Sequence, residues 1–253
     1  MRARGIALLL ALCLLPLRLT AQEIVADLSQ YRVSIDARFD GSQILIFGAV
    51  KRDGSPEAAK PVDVVVTVAG PPELITVRRK ERVAGIWINT RSVDMTRVPS
   101  FYKIATSAPL PLIVSEETDR EYRISIPRAV QAEGTGADYD GVFPEALIRI
   151  RSDNGLYALR ENAVRLRNDT LFRTEIGLPA NLVEGDYTTR IFLMREGELI
   201  ARYETQIGVR KVGLERFLYT LAHEQALIYA LVSLFIAIVA GWSASALFRY
   251  VRG

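Results

Sequence analysis

Two short strings hold the side chains best suited to gripping a ligand: Gly85-Ile86-Trp87-Ile88-Asn89 and Val98-Pro99-Ser100-Phe101-Tyr102-Lys103-Ile104-Ala105. Trp87, Phe101 and Tyr102 offer flat apolar area and Asn89 an amide that both donates and accepts, a mixture that lines pockets for small ligands or peptides. The same residues also suit a core, with Trp87 packed on Phe101 and Asn89 closing a turn. Nearby, Arg78-Arg79-Lys80-Glu81-Arg82 could hold an anion or an acidic headgroup. On a strand, alternation sends Arg78 and Lys80 to the face opposite Arg79, which splits the charge as at a solvated strand end.

Metal and nucleophile chemistry find little material. The chain has one histidine, His223, and one cysteine, Cys13, too few for His/Cys zinc clusters, Cys–His pairs or iron–sulfur ligation. His223-Glu224 opens like a zinc-protease helix, but Leu227 stands where the second histidine is required. Asp138-Tyr139-Asp140-Gly141 has the carboxylate spacing of a calcium-loop fragment without the distal bidentate glutamate. Asn168-Asp169-Thr170 is a glycosylation sequon wherever that machinery exists. With no GxSxG elbow, phosphate-cradling glycine loop or dinucleotide fingerprint, a non-enzymatic protein without metal or cofactor is expected.

The elements that would position these residues are bounded by two apolar ends. Met1-Arg2-Ala3-Arg4 precedes an apolar stretch over residues 6–17, and Leu19-Thr20-Ala21 follows, the order of a secretory signal peptide cut after Ala21. Twelve apolar residues reach only about 18 Å, short of a ~30 Å bilayer core. Leu12 rather than a small residue precedes Cys13, which argues against a lipoprotein. Cleavage would leave a mature chain with no cysteine, held together by packing alone. The formal charge of +3 over 253 residues includes Arg2, Arg4 and Arg18, and without them 29 basic residues face 29 acidic ones. That balance gives no support to a nucleic-acid partner.

At the other end, residues 226–248 carry no charge and would extend roughly 34 Å as a helix, enough to span a bilayer. Arg249 and Arg252 follow at once, so the tail over 249–253 belongs inside and the larger domain outside. Ser233, Ala237, Gly241 and Ser245 recur every four residues and share one helix face, where small side chains would let a second helix approach. That partner would be a copy of the chain or another membrane protein. Trp242, Phe248 and Tyr250 gather toward the inner end as an aromatic belt does.

Between the ends, β-branched runs over residues 31–36, 43–50, 62–69, 74–80 and 83–88 are separated by Asp40-Gly41-Ser42, Asp53-Gly54-Ser55-Pro56 and Gly70-Pro71-Pro72. Strands resume over 164–167, 171–176, 187–194 and 199–209, with Arg195-Glu196-Gly197-Glu198 as a tight hairpin. Glu184-Gly185-Asp186-Tyr187 resembles the turn that opens a late strand in immunoglobulin-like sandwiches, with the tyrosine at the corner. A mainly β ectodomain is therefore expected, an immunoglobulin-like antiparallel sandwich in one or two domains, followed by a single C-terminal transmembrane helix. The boundaries read as signal peptide 1–21, first sandwich 22–110, connection 111–155, second β-rich domain 156–212, amphipathic stalk 213–225 and span 226–248. One sandwich with a large insertion fits equally. The small-residue stretch over 133–137 marks the connection. Residues 144–152 fit a helix begun by Pro144 or, through Ala146, Ile148 and Ile150, a strand.

The two aromatic strings, with Phe47-Gly48-Ala49, Ala69-Gly70-Pro71, Leu178-Pro179-Ala180, Gly185-Asp186-Tyr187 and Ala240-Gly241-Trp242, resemble a family of alphaproteobacterial transmembrane proteins over nearly the whole mature chain. The resemblance implies a signal peptide, an exported domain and one C-terminal span in a bacterial inner membrane, with the domain facing the periplasm. It brings no catalytic residues. It implies an accessory role beside a membrane partner, such as an anion permease. A periplasmic small-ligand-binding domain built on Trp87, Asn89, Phe101 and Tyr102 is the alternative, and a hydrolase is a more distant one.

Overall fold

The computed structural model describes residues 23–36, 39–51, 60–130, 141–168, 170–212, 219 and 221–252. The strands are β1 (Glu23–Leu28), β2 (Arg32–Ile35), β3 (Ser42–Lys51), β4 (Asp63–Ala69), β5 (Pro72–Val83), β6 (Ile86–Pro99), β7 (Tyr102–Thr106), β8 (Tyr157–Arg160), β9 (Arg165–Arg167), β10 (Leu171–Leu178), β11 (Gly185–Arg195) and β12 (Glu198–Lys211). The helices are α1 (Leu110–Ile113), α2 (Glu116–Tyr122), α3 (Ile126–Val130), α4 (Val142–Asp153) and α5 (Ala226–Arg252). The expected mainly β class with one C-terminal apolar helix is the observed one.

The strands form a four-stranded sheet β1-β3-β10-β9, a six-stranded sheet β2-β12-β11-β4-β7-β8 and a separate two-stranded ribbon β5-β6. Strands from residues 22–110 and 156–212 are interleaved in both larger sheets, so these stretches build one body rather than two successive sandwiches. Pairing is antiparallel except for β2 with β12 and β7 with β8, which corrects the all-antiparallel expectation. A parallel neighbour needs a crossover connection, and the helical segment between Thr106 and Tyr157 provides one for β7 and β8.

Alternation builds the shared core. On β10, Phe172, Thr174, Ile176 and Leu178 are buried while Leu171, Arg173 and Glu175 are exposed. They meet Ile44, Ile46 and Val50 of β3 and the valines of β4 in one apolar cluster. In β4, residues 64–68 are all buried, the mark of a strand covered on both faces. Arg190 of β11 links β4 to the end of α2, whose last carbonyls need donors, its Nε donating to the Thr67 hydroxyl at 3.3 Å. Its guanidinium supplies them, Nη1 donating to the Tyr122 carbonyl at 2.8 Å and Nη2 to the Arg123 carbonyl at 3.3 Å, while Nη2 also donates to the Tyr102 hydroxyl of β7 at 3.0 Å. Ser115 caps the other end of α2, accepting from the Thr118 N–H at 3.2 Å.

Residues 142–153 form a helix, deciding the ambiguous stretch: Phe143, Pro144 and Leu147 are buried, whereas Ile150 is exposed. The small-residue stretch 133–137, the calcium-like loop over 138–140, most of the stalk and the leader lie outside the described residues. The anticipated corner is present, with the Tyr187 hydroxyl donating to the Val183 carbonyl at 2.8 Å.

Candidate functional site

The sequence suggested two strands over 74–80 and 83–88; the structure makes a single long hairpin of them. β5 and β6 turn through Ala84 and Gly85, both at positive φ (50° and 87°), the conformation of a tight two-residue hairpin turn. At its base the ribbon is held firmly. Val93, Met95 and Val98 are buried, the Tyr157 hydroxyl donates to the Pro99 carbonyl, and Glu73 pairs with Arg151 of α4 at 2.8 Å. Arg151 also donates to the Ser100 carbonyl at 3.1 Å.

Beyond that base, the ribbon leaves the body. Residues 86–92 of β6 are all exposed, a length of roughly 23 Å at the rise of an extended strand. The register puts Val83 opposite Ile86, Glu81 opposite Ile88, Arg82 opposite Trp87 and Lys80 opposite Asn89. Cross-strand partners share a face, so Val83, Ile86 and Ile88 lie on one side of the tip and Trp87 on the other. Arg78 and Lys80 share the Trp87 side and Arg79 takes the opposite one, paired with Glu81 at 3.3 Å. Trp87 is 66% and Ile86 68% exposed. An isolated two-stranded ribbon is marginally stable in water, and contiguous exposed apolar side chains characterise binding surfaces. Trp and Arg are the residue types that dominate such surfaces.

The four residues expected to share a ligand pocket are not brought together. Trp87 and Asn89 ride the outer ribbon, about 40 Å of extended strand from Phe101. Phe101 and Tyr102 are fully buried, Phe101 with its ring 5.7 Å from that of Tyr187. Trp87 is thus no core residue either, and its expected packing on Phe101 does not occur. The Tyr102 hydroxyl donates to the Ile124 carbonyl at 2.8 Å, and burial raises its pKa; burial likewise raises that of Tyr187 to about 12. These phenols are neutral donors to the backbone at ordinary pH.

The helix α5 contains a 20-residue apolar segment, Ala226–Ser245, none of it covered by the other described residues. Ser233, Ala237, Gly241 and Ser245 are exposed along it at four-residue intervals. A Cβ at Gly241 would meet nothing within 4 Å. Just before it, His223 stacks on Tyr219 at 4.1 Å, as i, i+4 neighbours do on a helix. Among the described residues no three His, Cys, Asp or Glu side chains cluster as metal ligands.

Among the described residues, a two-sheet β body is followed by one helix long and apolar enough to cross a membrane, the arrangement of a membrane-anchored protein. Residues 23–250 match the family described as "Putative transmembrane protein (Alph_Pro_TM)", and the chain belongs to that family. No curated protein matches it. Sequence reasoning missed the ribbon as a unit, because nothing local tells a strand paired inside a body from one paired only with its neighbour. The Arg190 and Arg151 anchors were equally invisible, since their partners lie 68 and 78 residues away in sequence.

Proposed function

We propose that this is a non-enzymatic interaction module, tethered by α5 to the bacterial inner membrane, that engages a membrane-protein partner through the tip of the β5–β6 ribbon. The observation that carries the reading is the exposure of Val83, Ile86, Trp87 and Ile88 on an arm whose base is rigidly held. A folded chain leaves such a group of apolar side chains in water where another surface covers them. The domain faces the periplasm and the short tail the cytoplasm, a reading supported by Arg249 and Arg252 just beyond the apolar segment. A leader cut after Ala21 accords with a family match that starts at Glu23. The small-residue face of α5 would carry the bilayer half of the contact, to the partner or to a second copy. Family resemblance makes an anion permease the class of partner to test first. The small-ligand alternative is not favoured, because Trp87 and Asn89 lie so far from Phe101 and Tyr102.

The test is site-specific photocrosslinking in native membranes, with benzoylphenylalanine in place of Trp87 and, as a control, in place of Leu112, which is 76% exposed on α1. An adduct with one membrane protein from position 87 and none from 112 is expected. Adducts at both positions, or at neither, would refute the ribbon as the contact. Gly241→Leu tests the helix face: loss of the detergent-stable complex is expected, and an intact complex would exclude that face.

A further inference from the structure

Three arginines, Arg160 at the end of β8, Arg165 on β9 and Arg173 on β10, line one open cavity of about 270 Å³. Arg165 and Arg173 are direct cross-strand partners. Side chains so placed have Cβ atoms roughly 5 Å apart, and like charges there repel. On the exposed face where all three arginines lie, a shared counter-charge would relieve that repulsion, and none of the three guanidiniums has a hydrogen bond or ion pair with a described residue. Glu175 is the one carboxylate among the cavity's described lining residues, which leaves an excess of two positive charges. The neighbouring Glu161 is turned elsewhere, accepting the Leu110 N–H at 2.9 Å.

One neutral group joins them: Asn162, held at φ 58° in the turn between β8 and β9, borders the cavity and carries an amide that can donate to a ligand. Because β9 pairs with β10 only as far as Arg173, the β10 edge away from β3 has no strand beside it from Thr174 onward among the described residues. The positive field extends further: Lys103, with its ammonium donating to the Gly177 carbonyl at 2.8 Å, is pushed below its ordinary pKa by burial and by the charge of Arg160. Guanidiniums meet oxyanions through paired, charge-assisted hydrogen bonds, and a cavity of this size takes an anion of a few heavy atoms.

We infer that Arg160, Arg165 and Arg173 form a binding site for a small doubly charged oxyanion, either free in solution or presented as a lipid phosphate. The site lies apart from the β5–β6 ribbon and stands whether or not the ribbon binds a partner.

The experiment is calorimetric titration of inorganic phosphate into the full chain in maltoside micelles, with ionic strength held constant by chloride. Saturable one-site binding is expected, weakened at least about tenfold in the R165Q/R173Q double variant and unchanged in Arg32→Gln on the other sheet. The double variant without ligand should unfold at the same or a higher temperature, because a like-charge pair has been removed. Arg160→Gln, which leaves the β9–β10 pair intact, should weaken binding as well and serves if the double variant does not fold. In a second arm the micelles carry phosphatidic acid: competition with phosphate, or binding in this arm alone, assigns the site to a lipid headgroup, and phosphate binding without competition assigns it to a free anion. Heat that follows ionic strength alone, equal affinity in the arginine variants, or no binding in either arm would overturn the site.

Discussion

Arg151 of α4 and Glu73 of β5 meet at 2.8 Å with side chains only 17% and 29% exposed, and this pair fastens the ribbon to the body. The guanidinium also holds the Ser100 carbonyl, so one side chain braces both ends of the hairpin base. Arg151→Ala leaves Glu73 and that carbonyl short of a donor. A loss of about 1–3 kcal/mol in global stability is expected from denaturant unfolding. Hydrogen exchange should quicken at the ribbon base.

The turn at the ribbon tip invites a stabilising change. Ala84 sits at φ 50°, where a Cβ is unfavourable and asparagine is better tolerated, and Gly85 follows at φ 87°. Ala84→Asn would create the Asn-Gly pair preferred by such turns and should gain about 0.5 kcal/mol or more. Slower hydrogen exchange over residues 78–92 is the measurement. Trp87→Ala, by contrast, should change global stability by less than about 0.5 kcal/mol, since the side chain is exposed, while reducing partner recovery.

Gly48 of β3 is packed closely between β1 and Phe172 of β10. A Cβ there would lie 2.6 Å from the Phe172 ring and 2.6 Å from the Val25 carbonyl oxygen, and the latter is backbone that cannot step aside. Gly48→Ala should cost about 1–3 kcal/mol by overpacking, read as a lower thermal midpoint.

The buried phenols set an alkaline limit. Tyr187 ionises at about 12 in the folded chain against 10.0 for the free phenol, and Tyr102 and Tyr157 are raised as well by burial. A raised acid pKa means that folding favours the neutral form, so the stabilisation is complete below pH 10 and declines as pH climbs from 10 toward 12. Tyr187→Phe should make that decline shallower. At neutral pH it should cost about 1 kcal/mol through loss of the bond to Val183. Urea unfolding across pH 7–12 would show both effects.

Much of the molecule follows from local pattern. Residues 226–245 read as a span because an uncharged run of that length needs no neighbour to be recognised. The β10 strand announces itself by alternation from Leu171 to Leu178, and the Tyr187 corner by its Glu-Gly-Asp-Tyr turn. The β1, β7 and β8 segments escaped notice for different reasons: β1 lies directly behind the apolar leader, β7 begins only two residues after β6, and β8 is four residues long and follows α4.

What the amino-acid order determined unaided is therefore the class: a β-rich body, a membrane-length helix, and the periodic faces that each strand buries. Tertiary structure alone decided which strands became neighbours, because pairing in a sheet joins residues far apart in the chain and alternation specifies a face but not a partner. It set Val83, Ile86 and Trp87 in solvent on a free ribbon and sent Phe101 into the core, though all four are equally apolar in sequence. It also placed Arg165 opposite Arg173, a juxtaposition created by the register of β9 on β10 and by nothing in the residues between them.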